Sequence, residues 1–110
     1  MDLVEEIYRL THSFPKTEVY ALSSQMQRAA VSIPANIAEG HARESTREFV
    51  HYISIALGSL AELETHLILA GRLSYLEDRN ISTTLSRADE LGRMLRGLQK
   101  VLKAKLAPSP

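Results

Sequence analysis

Phe49, Ile53, Ala56, Leu60, Leu63, Leu67 and Ala70 alternate spacings of four and three over three heptads. That period returns apolar side chains to one side of a helix and to no side of a strand, so the segment must bury a continuous seam. A second apolar set, Val50, Leu57, Ala61 and Ile68, lies roughly a quarter turn away at about 100° per residue. Two stripes on one helix exceed what one flank of a small bundle needs, which predicts burial on two sides and a contact with another copy of the chain. Gly58, Ser59 and Ala61 are small enough to let a further helix approach closely.

The segments on either side follow the same period. Leu3, Ile7, Leu10 and Phe14 give a short first helix. Pro15 suits the opening position of a second, where its missing N–H has no partner to lose, and Glu18 complements the positive end of the dipole. Leu22, Met26, Ala29, Ile33 and Ile37 keep their register straight through Pro34, which predicts a helix kinked at the proline but not ended by it. Gly40 is expected to close that helix in a left-handed conformation, and Ser45 with Glu48 forms a capping box for the third. After a turn over Ser74 to Asn80, Leu91, Leu95, Leu98 and Leu102 make the inward stripe of a fourth helix reaching Lys105. Short links make consecutive helices antiparallel neighbours. The expectation is an all-α, up-down-up-down four-helix bundle over residues 1–106, followed by a flexible tail at 107–110.

Composition excludes several classes. The chain has 110 residues, four prolines, five glycines and no cysteine, which favours helix and removes disulfides, thiolate metal sites and cysteine nucleophiles. No uninterrupted apolar run approaches the roughly 20 residues of a membrane span, and the acidic start is wrong for a secretory signal. A cytoplasmic protein without membrane contact is expected. Thirteen bases balance 13 acids, which argues against a strongly basic nucleic-acid binder, yet no acid occurs from Leu91 onward while Arg93, Arg96, Lys100, Lys103 and Lys105 do. Arg93, Arg96, Lys100 and Lys103 fall on the side of helix four away from the leucines. They serve solubility and the helix dipole, or else contact RNA or DNA backbone.

On helix two Gln25, Arg28, Ser32, Asn36 and Glu39 form a polar seam, read as a hydrogen-bonded ladder at a helix or subunit interface. Glu39, near the negative end of the dipole, calls for a cation from Arg43, Arg47 or Arg28. Glu48 and His51 have the ExxH spacing of di-iron bundles, but the motif occurs once and Glu48 is engaged in capping. Glu62 and His66 are spaced to pair on the surface, while His12 and His41 fall in expected turns. No serine stands on a strand-to-helix elbow and no glycine-rich loop follows a strand. The residues thus point to no catalytic group, metal, cofactor or small-molecule substrate.

The segments FPKTE, SIPANIAEG, RESTREF and IALGSLAELE occur in that order, and the run Phe14 to Ala70 closely resembles the 23S rRNA-intervening-sequence protein family; DELGRMLRGLQKVL in helix four resembles it more loosely. The family's genes are often found in inserts interrupting bacterial 23S rRNA genes, and a similar bundle serves diversity-generating retroelements as an accessory protein. The resemblance implies a bacterial, non-enzymatic homo-oligomer, a pentameric ring of antiparallel bundles, with nucleic acid bound by basic surfaces in the retroelement relatives. Two departures stand out: the first helix is shorter than the family's usual amino end, and the net charge is lower than in the basic relatives. In this reading Gln25, Arg28, Ser32, Asn36, Glu39, Val50, Leu57, Ala61 and Ile68 make the subunit contact, and the helix-four stripe supplies any nucleic-acid contact.

Overall fold

A computed structural model describes residues 2–18 and 21–106. The segment 107–110, expected as a flexible tail, lies outside the described residues. Among the described residues four helices make up the fold: α1 (Asp2–Thr11), α2 (Leu22–Ala42), α3 (Thr46–Arg72) and α4 (Asp78–Leu106), with a 3₁₀ turn at Lys16–Glu18. They pack as a four-helix bundle measuring 55 × 23 × 18 Å. Ser32 meets Ser59, while Gly40, about two turns further along α2, meets Tyr52, about two turns earlier along α3, so these helices run in opposite directions. Gln99 on Ser54 and Gly92 beside Leu60 give α3 and α4 the same opposed sense.

The heptad seam of α3 is the centre of the core. Ile53, Ala56, Leu60, Leu63, Leu67 and Ala70 are all buried, with Phe49 half-buried at the open end. They meet Met26, Ala29, Ala30 and Ile33 of α2 and Ala88, Leu95 and Leu102 of α4. α3 has an 18-residue window of mean hydropathy 1.4 and is long enough to cross a bilayer by length and composition. Packed helices on two sides take up part of that apolar character, while Ile55, Ile68 and Leu69 remain 38%, 47% and 43% exposed.

Two helix boundaries differ from the expected ones. α2 begins at Leu22, not at Pro15: the Glu18 N–H bonds to the Pro15 carbonyl (2.9 Å) in the 3₁₀ turn, and the Glu18 carboxylate accepts the Leu22 N–H at 3.3 Å. The acid thus satisfies one of the orphan donors of α2 from outside the helix. Gly40 is not left-handed; it is helical and buried, α2 continues to Ala42, and His41 lies in its last turn. A Cβ on Gly40 would stand 2.6 Å from Tyr52 Cβ, so the residue is needed for the close approach of α2 and α3. α2 passes unbroken through Pro34. Ser45 caps α3, its hydroxyl accepting the Glu48 N–H at 3.2 Å.

The inward side of α4 also departs from a leucine stripe. Leu95 and Leu102 are buried and Leu91 half-buried, but Leu98 is 37% exposed and Gln99 takes its place. The Gln99 amide donates to Val50 O (3.1 Å) and Ser54 Oγ (2.7 Å), which lets a polar side chain occupy the α3–α4 seam.

Candidate functional site

On α4 the sequence separates three sides of one helix. Thr84, Ala88, Gly92, Leu95, Gln99 and Leu102 face the core. Arg93, Arg96, Lys100 and Lys103 are all exposed on a second side. Arg93 Nη2 sits 3.2 Å from Asp89 Oδ2, one turn back, so part of its charge is met within the helix. The Arg96 guanidinium lies close over Gly92. Met94, Leu98 and Val101 are 65%, 37% and 57% exposed on the third side.

The Gln99 bonds to Val50 and Ser54 set the start of α3 beside the end of α4. Arg47, exposed and one heptad before Ser54, therefore stands at the same end of the α3–α4 seam as Lys103. In the sequence Arg47 stands out only as a partner for Glu39; its place beside the basic stripe follows from the opposed direction of α3 and α4.

The helix-two polar seam divides into parts. Ser32 Oγ and Ser59 Oγ are 2.8 Å apart, and the Asn36 amide donates to Ser32 O (2.8 Å) and Ser32 Oγ (2.9 Å). This knot lies between α2 and α3 of one chain. Glu39 accepts from Arg43 at 2.7 Å, and the same guanidinium donates to Tyr52 Oη (3.1 Å) with its centre 5.4 Å from the ring. The Glu39 carboxylate, followed by Tyr52, holds the Arg43 guanidinium above its ordinary pKa. Glu39 thus has the cation its position calls for. Gln25 and Arg28 are exposed.

The second stripe of α3 is likewise shared out. Val50 and Leu57 are half-buried and pack on the chain's own core, while Ala61 is exposed and Ile68 is 47% exposed. α3 lies between α2 and α4, so Val50 and Leu57 have partial cover within their own chain, Val50 O taking the Gln99 amide of α4, while Ala61 and Ile68 stay open. The surface pair of Glu62 and His66 is not formed either. His66 is half-buried, and its Nδ1 has no hydrogen-bond partner.

Glu6 carries no signal in the sequence, yet it is 5% exposed, accepts from Thr84 Oγ1 at 2.8 Å and pairs with Arg87, which ties α1 to α4. A shallow depression lined by Asp2, Glu5, Glu6, Arg9 and Arg87 surrounds it. An acid three residues after Leu3 and one before Ile7 gives no local sign of burial. Among the described residues no three His, Asp, Glu or Cys side chains gather as a metal site.

Among curated proteins none matches the chain. A solved structure of a protein of unknown function from the S23 ribosomal protein family of Bacteroides thetaiotaomicron VPI-5482 is similar, with a TM-score of 0.77 and 25% identity over 88% of each chain. The family model for the 23S rRNA-intervening sequence protein matches residues 1–97. With that match over most of its length, and with the four-helix fold shared, the chain belongs to the 23S rRNA-intervening sequence protein family.

Proposed function

We propose that this protein is a non-catalytic, self-associating bundle that acts as a scaffold or adaptor. The observation that supports this is the row Met94, Leu98 and Val101, exposed in line on a helix whose core side is already filled. An aligned apolar row, unlike scattered apolar residues, is the usual mark of an interaction surface. The family resemblance favours a cytoplasmic ring of five bacterial copies. Light scattering on the purified chain tests the reading: a mass several times the 12.3 kDa of one chain is expected, and a monomer at every concentration would overturn it.

A second reading rests on a different observation. Arg93, Arg96, Lys100 and Lys103 are all exposed, and Arg47 stands at the same end. Such a strip suits phosphate backbone and carries little base information. The 23S rRNA gene named by the family makes RNA the first ligand to try. Fluorescence anisotropy with a structured RNA should show affinity falling steeply between about 50 and 200 mM salt. A flat salt response would exclude backbone binding by this strip.

A further inference from the structure

Two acid-free stretches lie side by side in this bundle. α4 carries no Asp or Glu from Leu91 to its end, and α3 carries none from Phe49 to Ala61. They are far apart in sequence, and the fold joins them. Gly92 lies against Leu60, and the Gln99 amide donates to Ser54 Oγ at 2.7 Å, so the basic part of α4 runs alongside the acid-free part of α3. Glu48 and Glu62 stand only at the two limits of that stretch. Among the described residues Arg93 is the one cation of the strip with an ion-pair partner, Asp89. Arg96, Lys100 and Lys103 therefore project a field that nothing along the α3–α4 edge offsets, the condition for attracting an anionic polymer.

The ground beside the strip is low and carries no stacking platform. Ser54, Gly58 and Ala61 are exposed on α3, and a Cβ at Gly58 would meet nothing within 4 Å. α4 has no aromatic residue. The nearest rings on α3 are engaged elsewhere: Phe49 with His41 of α2, 5.7 Å between centroids, Tyr52 with Gly40 and Arg43, and His51 edge-on to Tyr52 at 5.8 Å. Unpaired strands are held by stacking their bases on aromatic rings as well as by charge. A double helix hides its bases and presents phosphate on a rigid rail, so a row of cations can meet it without first ordering the strand. Arg93 to Lys103 covers about 15 Å of helix, the length of roughly four phosphates on one strand of a duplex.

We infer that the α3–α4 edge takes a double-helical stem, seated by one phosphate rail on Arg93, Arg96, Lys100 and Lys103, with Arg47 at the end of the row and the low shelf of α3 leaving room for the width of the duplex. The inference rests on the backbone-binding reading above and names the form of its ligand.

An RNA stem of about 12 base pairs and an unpaired uridine strand of equal charge, titrated into the full chain by anisotropy, separate the two forms; the stem should bind about tenfold tighter. A DNA duplex of the same length offers the same rail and should bind comparably. Lys100→Ala should reduce the slope of log affinity against log salt by about one. Ala61→Glu puts an acid on the exposed shelf and should weaken stem binding about fivefold, while Ala35→Glu, the same change at an exposed position of α2, should not. Circular dichroism checks that both variants keep their helices. An unpaired strand bound as tightly as the stem, a DNA duplex that does not bind, or equal effects of the two glutamates would each overturn the inference and leave backbone binding standing. Absence of salt-dependent binding to any of the three ligands would overturn both.

Discussion

A methyl added at Gly40 would lie 2.6 Å from Tyr52 Cβ and 3.0 Å from Phe49 Cδ1, and a Cβ cannot swing aside as the end of a long side chain can. Gly40→Ala is therefore expected to lose about 1–3 kcal/mol in urea unfolding, whatever it gains in helix propensity. Gly58, with nothing within 4 Å, gives the opposite sign: Gly58→Ala should gain about 1 kcal/mol. Tyr75 offers a titration test. Its hydroxyl donates to Glu18 Oε1 at 3.0 Å, and that bond, followed by burial and the carboxylate's charge, raises the phenol above its ordinary 10.0. A raised folded value means the stabilisation is present below about pH 10 and is lost as pH climbs through the higher value. Ultraviolet absorbance should show one tyrosine ionising late, and Glu18→Gln should bring it back down. The sequence suggests the wrong reason for Gly40 because a glycine at a helix end usually marks a left-handed cap, and only the facing helix shows that space is the constraint.

At the scale of elements, α1 is the loosest attachment. It has 10 residues against 29 in α4, and its polar anchors are Glu6 on Thr84 and Arg87, and the Gln27 amide donating to Thr11 Oγ1 at 3.0 Å. Arg87→Ala leaves a buried carboxylate with its hydroxyl partner and the more distant Arg9, which should cost about 1–3 kcal/mol. Amide exchange should then speed up in α1 before it does in α3. The helices of this bundle are legible in the sequence because their apolar periods are long and clean. What stays hidden is the allocation of faces. A second stripe on α3 looks the same in sequence whether it meets a helix of its own chain or of another, and the structure shows only that Val50 and Leu57 pack in part on their own core while Ala61 and Ile68 stay exposed. Gln99 is hidden for a related reason, since its burial depends on acceptors at Val50 and Ser54, 49 and 45 residues away.

For the whole molecule, neutral net charge conceals a division: the last stretch of α4 is basic, and Arg47 adds to it at the same end. If RNA binds there, Lys100→Glu with Lys103→Glu should weaken binding for all sequences alike and flatten the salt dependence, read by anisotropy. The bundle is a rod 55 Å long. With bases gathered toward one tip of that rod, the molecule has an electric dipole along its length, and transient electric birefringence should read a smaller moment in the Lys100→Glu, Lys103→Glu variant.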